Sequence, residues 1–338
     1  MNRSFRPALS TILLALGTAV RWCSIVLAVV CINAASPLAA QTPTREPGDG
    51  REPIAPVPAP RAQDPRRLLL GERLFSDRRL SHGNTHSCLS CHDIGSNGAS
   101  ANAHDTPEGQ PQALNTPTVF NATLSFRLNW EGNIRSLEEG IERSLNNPAI
   151  MASSLDEAVN KLRSDSEMVN QFRDAYGQEP NAGAILDAIA TFERSLVTPG
   201  SRFDRWLAGV EDAITPEELS GYQIFKSLGC VTCHQGVNVG GNMYQRHGIF
   251  HPLGSPEPVL LRVPGLRNVA ATAPYFHDGS AATLAEAVKS MGVAQLDREL
   301  TNQQISAIVA FLNTLTGIYR GEMVRPQTAV TGAGSVHP

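Results

Sequence analysis

Two short segments hold the groups in this chain best suited to chemistry: Cys88-Leu-Ser-Cys91-His92 and Cys230-Val-Thr-Cys233-His234. Both carry the C-x-x-C-H spacing of covalent c-type haem attachment. Two thiols one helical turn apart add to the two vinyl groups of one haem, and the adjacent His lies beneath the iron as its proximal ligand. A C-x-x-C pair alone also suits a redox disulfide, and four cysteines suit one zinc ion. Neither use requires a His directly after both pairs. The motifs therefore predict two covalently bound haem c groups, with His92 and His234 on the irons.

The residue opposite each proximal His decides what the haem does. An open position admits small ligands, whereas a second strong ligand makes an electron carrier. For the second site the candidates are Met243, Met291, His247, His251 and His277. Leu284, Val288 and Met291 recur at i, i+4 and i+7 on a helix opened by Thr283-x-x-Glu286, so Met291 faces inward, as a core side chain or as a ligand. It lies 57 residues past His234, enough chain to wrap to the other haem face, whereas Met243 follows by only nine. For the first site, His104 stands twelve residues past His92 in a Gly/Ser/Asn-rich loop, as a surface His or a reversible iron ligand.

The surroundings of the two motifs repeat. Gly71-x-x-Leu74-Phe75 precedes the first and Gly221-x-x-Ile224-Phe225 the second, which predicts two related units with a helix packed before each attachment site. Thr215-Pro216-Glu217-Glu218 supplies an N-cap, a proline at N1 and an acid at N3 for the second of these helices. Ser154-x-x-Glu157 opens another helix. Ile185, Ile189, Phe192 and Leu196 mark a further one stopped by Thr198-Pro199-Gly200, and Thr301-x-x-Gln304 opens the last, with Gly317 at its end. Strand alternation is nearly absent. The expected fold is mainly α, two cytochrome c-like domains with one attached haem each, spanning residues 66–205 and 206–325 with a tail at 326–338.

Composition narrows the function classes. The 338 residues carry 28 Lys+Arg against 32 Asp+Glu, a net charge of −4, so no electrostatic footprint for nucleic acid exists. At 41% hydrophobic residues the chain folds rather than staying disordered. Residues 1–40 hold three arginines and no acid, then an apolar run and small residues ending at Ala40, the order of a secretory signal cleaved near Ala40. The alternative is an uncleaved membrane anchor. Cleavage would remove Cys23 and Cys31 and leave a charge of −7, which suits a basic partner. Residues 41–65 hold seven prolines and are expected to form an extended, solvated tether.

From about Gly71 to Gly317 the chain resembles the bacterial di-haem cytochrome c peroxidase and MauG family. Besides the two haem motifs, the resemblance rests on Leu114-Asn-Thr-Pro-Thr-Val-Phe-Asn121, Thr198-Pro-Gly-Ser-Arg-Phe-Asp204, Val263-Pro-Gly-Leu-Arg-Asn268, Thr272-Ala-Pro-Tyr-Phe-His-Asp-Gly279 and Met291-Gly292. It implies a periplasmic enzyme in which the C-terminal haem, with His234 and Met291, takes electrons from a small cytochrome c or copper protein. Hydrogen peroxide would bind at the N-terminal haem, with His92. It further implies a calcium ion held through Asn115, Thr272 and Pro274, an electron path through Trp130, and a possible homodimer.

Two departures from the family pattern bear on the reaction. Leu137-Glu138-Glu139 is followed by Gly140 where the family has a pocket Gln, and Asn147-Pro148-Ala149 by Ile150 where it has a pocket Glu. Cleaving the O–O bond needs a group that takes a proton from one oxygen and returns it to the other, and Ile150 cannot do this. Glu138, Glu139 and Glu142, on the same expected helix, are the candidate substitutes. The functions in competition are a peroxidase, a MauG-like oxidase of a partner protein, and a di-haem electron carrier without turnover. Where MauG has Tyr this chain has Met291, which favours the peroxidase.

Overall fold

The computed structural model describes residues 52–327, and the expected leader lies outside them. Among the described residues no helix is long and apolar enough to cross a membrane. The fold is mainly helical: α1 (Pro65–Phe75), α2 (Cys88–Cys91), α3 (Leu137–Asn146), α4 (Leu155–Arg163), α5 (Ser166–Tyr176), α6 (Ala182–Ser195), α7 (Arg202–Leu207), α8 (Pro216–Ser227), α9 (Leu284–Leu296) and α10 (Asn302–Asn313). Two antiparallel hairpins, β1 (Tyr244–Arg246) with β2 (Leu260–Arg262) and β3 (Ile318–Tyr319) with β4 (Glu322–Met323), add little sheet.

Local sequence sets the helix starts. Ser154 caps α4 through Glu157 N, and Thr215, Thr283 and Thr301 form capping boxes with Glu218, Glu286 and Gln304. The helix ends follow the sequence less closely. Helix α6 stops at Ser195, before Thr198, and α10 at Asn313, so Gly317 is no cap. It is a point of close approach: a Cβ there would lie 2.0 Å from the Thr198 carbonyl oxygen.

Two hydrophobic cores form, one around each motif, and both are built on one crossing. Helix α1 crosses α6 at Gly71, where a Cβ would meet the Ala188 carbonyl oxygen at 2.0 Å. Helix α8 crosses α10 at Gly221, where the Ala307 oxygen would be met at 1.9 Å. One turn on, the rings of Phe75 and Phe192 pack at 5.3 Å, and those of Phe225 and Phe311 at 5.2 Å. The repeat read from Gly71 and Gly221 is thus a repeat of packing geometry.

Between the cores lies a buried polar knot. Thr198 donates its N–H to Asn121 Oδ1, and its hydroxyl accepts from the amides of both Asn121 and Asn268. Asn121 and Asn268 both adopt left-handed backbone, at φ 60° and 62°, each opening a 3₁₀ turn. Asn tolerates that region better than most residues.

The proline-rich segment departs from the expected solvated tether. Residues 52–60 lie as an extended strap on the C-terminal core, where Ile54 is 2% exposed and bridges to Gly236. The Val57 N–H donates to Asp204 Oδ1, and Glu52 accepts from the Tyr222 hydroxyl and pairs with Lys226. Proline fixes an extended backbone whether or not apolar neighbours face a core, so composition alone could not separate the two cases. Ile54→Ala is expected to cost about 2–3 kcal/mol. Thermal unfolding of the holoprotein would show this as a lowered midpoint, and an unchanged midpoint would return the strap to the role of tether.

Candidate functional site: one cavity joining both haem motifs

A single cavity of about 1010 Å³ is lined by Cys88, Cys91 and His92 from the N-terminal lobe and by Cys230, Cys233 and His234 from the C-terminal lobe. All four cysteines are free thiols. Burial pushes the thiol of Cys88 up to about 12, and those of Cys91 and Cys230 to about 11.

The two imidazoles are presented alike. His92 Nδ1 lies 3.2 Å from the Gly98 carbonyl oxygen, and His234 Nδ1 lies 3.3 Å from that of Val239. Each carbonyl takes the Nδ1 proton and leaves Nε2 for a metal. Burial lowers the affinity of both rings for a second proton, that of His234 to about 4, so both stay neutral and ready to ligate. Val239 achieves its placement at φ 52°, a left-handed conformation that costs a β-branched residue about 1–3 kcal/mol. The same carbonyl accepts the Leu266 N–H at 3.3 Å and the side chain is fully buried, so the ring and the core together hold the strained residue in place.

Of the candidates for the second distal position, Met291, His247 and His277 line the cavity. Met243 does not, and His251 is paired with Asp297 at 2.9 Å in an exposed position. Met291 sits on α9, as its periodicity predicted. His277 is fully buried, and neither of its ring nitrogens has a partner. Its ring centroid is 4.1 Å from that of His247 and 6.5 Å from that of Trp130. Trp130 is itself fixed by donation from Nε1 to the Asn115 carbonyl oxygen at 2.8 Å. Asn115, Thr272 and Pro274 line the same cavity.

Orphaned imidazole nitrogens, neutral proximal rings and four free thiols on one large void fit two covalent haems. When bound, the haems supply iron centres that take up a small ligand and pass electrons. The polypeptide supplies the proximal rings, the apolar walls and the polar groups near Trp130.

Four expected site residues lie elsewhere. His104 is exposed and holds the Gln112 carbonyl oxygen at 2.8 Å, away from the cavity lining. Glu138 is paired with Arg194, Glu142 is exposed, and neither lines the cavity. Helix phase explains this. The buried residues of α3 are Leu137, Ile141 and Leu145, so residues one position later turn about 100° off that face. Glu139, the third candidate, is turned to Arg143, 2.7 Å away, and also stays off the lining. Gly140 and Ile150 do line the cavity.

His86 and Glu193 are among the titratable lining groups that sequence reasoning missed. Burial, reinforced by Glu138, pushes Glu193 up to about 8, so it is protonated at neutral pH. Neither residue belongs to a motif.

Comparison with known proteins fits this architecture. Residues 65–212 match the family described as di-haem cytochrome c peroxidase, and residues 219–316 match cytochrome c. The cytochrome c551 peroxidase of Nitrosomonas europaea is 40% identical over 285 residues, covering 79% of this chain and 84% of that protein. The methylamine utilization protein MauG of Methylorubrum extorquens is 30% identical, covering 77% of this chain and 81% of the relative. Among solved structures, a MauG-like protein associated with microbial copper homeostasis superposes with a TM-score of 0.67 at 26% identity, covering 77% of this chain and 93% of that one.

Proposed function

The chain belongs to the bacterial di-haem cytochrome c peroxidase and MauG family, and on that basis we propose that it reduces hydrogen peroxide to water with electrons from a cytochrome-type donor. The observation that carries this reading is the single cavity joining two C-x-x-C-H sites of unlike surroundings. The C-terminal lobe offers Met291 to it, while the N-terminal lobe offers the apolar wall of Leu137, Ile141 and Ile150. A Met/His pair raises a haem's potential and suits electron entry. The position of Trp130 beside His277 in the same cavity supports an electron path through its ring.

The apolar N-terminal wall keeps bulk water from the peroxide and strengthens every charge interaction within. The Gly98 carbonyl fixes the tautomer of His92, so its neutral Nε2 is available on the side facing the void.

Mixing half-reduced protein with hydrogen peroxide in a stopped-flow instrument is expected to oxidise both haems rapidly. A rate no better than that of free haem would sink the peroxidase reading. Ile150 and Gly140 favour one other function, an electron carrier with both irons fully ligated. EPR of the half-reduced state decides between them: a high-spin haem supports the peroxidase, and its absence the carrier.

The finer assignments rest on sequence. The charge order of residues 1–40 supports export to the periplasm. The position of Asn115, Thr272 and Pro274 on the cavity wall supports one Ca²⁺ held by oxygen ligands. A small cytochrome or copper protein would be the donor, and the family likeness supports a homodimer.

A further inference from the structure

The two helix crossings put the cavity-facing residues of the lobes in register. A Cβ at Gly71 would meet the Ala188 oxygen and, at 2.9 Å, Phe192 Cβ on α6; one at Gly221 would meet the Ala307 oxygen and, at 3.1 Å, Phe311 Cβ on α10. Ala188 therefore corresponds to Ala307, and Phe192 to Phe311. The same offset carries Ile189 to Ile308 and Leu196 to Leu315, apolar and buried in both lobes. It also carries Glu193 to Leu312. Both of these line the cavity, and Leu312 is a 3% exposed member of the C-terminal core. A carboxyl thus stands where the packing repeat places a leucine.

Nothing in the chain compensates that exchange. Among the described residues the Glu193 side chain makes no hydrogen bond and no ion pair. The charges that act on it are Glu138 of α3 and, in opposition, Arg194, and those two are paired with each other. On the other helices packed against α6, Arg67 of α1 is turned to Asp187 and Lys161 of α4 to Glu157. The charge of Glu193 acts in turn on Cys88. An unpaired carboxyl in such a place stays neutral unless a positive charge appears beside it.

We propose that Glu193 is the proton partner of the N-terminal haem: it takes up a proton as the iron over His92 gains an electron, and releases it as the iron is oxidised. Cys88 is one of the two points where the porphyrin edge is tied down, so a charge beside Cys88 stands beside the macrocycle. A ferric centre carries one positive charge more than a ferrous one, and that charge favours the carboxylate. The electron comes from the donor, the proton from solvent by way of the cavity, and only the carboxyl O–H bond forms or breaks. The coupling is an equilibrium property and needs no relay to the substrate. The C-terminal haem, with Leu312 at the equivalent place, has no such partner. The inference depends on haem attachment at Cys88-Cys91-His92 and goes beyond the peroxidase reading.

Spectroelectrochemical titration of the holoprotein, with each haem followed in its own bands, tests this. At a fixed electrode potential the ratio of reduced to oxidised N-terminal haem in the wild type is expected to fall, by up to about tenfold per pH unit, as pH is raised through about 8. Glu193→Gln, which cannot ionise, is expected to hold that ratio within about twofold between about pH 6 and 9 and to exceed the wild type by about tenfold at the upper end. The C-terminal haem is expected to respond alike in both proteins. A wild-type slope that persists in Glu193→Gln would overturn the proposal, as would a wild type without a slope. Should Glu193→Gln fail to load the N-terminal haem, Glu193→Leu decides, because leucine fills this place in the repeat: loss of the slope supports the assignment, and its persistence overturns it. The measurement uses no peroxide. A wild type that ignores peroxide would refute the peroxidase reading and leave this inference standing, whereas an active wild type whose slope survives in Glu193→Gln refutes only this inference.

Discussion

Replacing Arg267 with alanine is expected to destabilise the protein by about 3–5 kcal/mol, because it strands a buried carboxylate. The guanidinium is 1% exposed and Asp204, 2.8 Å away, is 6% exposed. Burial lowers the proton affinity of Arg267, and the Asp204 charge opposes that. The same fork donates to the Val237 carbonyl oxygen at 2.9 Å, to the Ala55 oxygen at 2.7 Å and to Ser201 Oγ at 3.3 Å. One side chain therefore ties the strap, the turn after Cys233-His234 and the cap of α7 together.

Arg267→Lys is expected to fail almost as badly, since a single ammonium cannot reproduce a planar fork with several fixed acceptors. Replacing both partners with apolar residues, Arg267→Met with Asp204→Leu, is expected to cost less than either single change. Thermal unfolding of the holoproteins measures each of these variants against the wild type. A single-variant loss below about 1 kcal/mol would show that the pair is not what fixes the strap.

Gly221→Ala is the second large effect. In an exposed helix this change gains about 1 kcal/mol of propensity. Here the new Cβ would lie 1.9 Å from the Ala307 oxygen and 2.6 Å from its carbonyl carbon, both backbone atoms that cannot rotate away. Overpacking of this kind costs about 1–3 kcal/mol or more, and relief requires α8 and α10 to separate. Helix α8 runs directly into Gly229 and Cys230, so separation displaces the attachment site. The expected result is protein carrying haem at Cys88/Cys91 and little at Cys230/Cys233, read by mass spectrometry of haem peptides. Gly71→Ala is expected to reverse the pattern. Equal loading of both sites in Gly221→Ala would refute the coupling between crossing and attachment.

Features confined to a few neighbouring residues were legible in the sequence. Both haem motifs, the capping boxes at Thr215, Thr283 and Thr301, and the inward face bearing Met291 depend on spacings of three to seven residues. Helix ends proved harder, because α6 and α10 stop short of their glycines and Gly317 answers to Thr198, far away in the chain. The acids of α3 were misread because nearness along a helix was given more weight than phase around it. His86 was missed because the residue it lies against, Ile150, stands 64 residues on, and no periodicity connects the two. The strap was misread because two apolar residues among prolines, Ile54 and Val57, carry the whole difference between a tether and a packed edge.

That strap has a consequence for how the protein is made. Ile54 belongs to the same core as Tyr222, Phe311 and Leu315, so the first-synthesised part of the described chain completes its last-synthesised lobe. The strap has to wait for the C-terminal lobe that it packs on, and the N-terminal core around α1 and α6 is completed by Ala271 and Val324 from beyond the second haem motif. A fragment cut after residue 205 and expressed alone would lack Ile54, Val57 and the Ala55 carbonyl that Arg267 grips. Dissection into independent haem lobes thus leaves each core incomplete: the first would lack Ala271 and Val324, and the second Ile54.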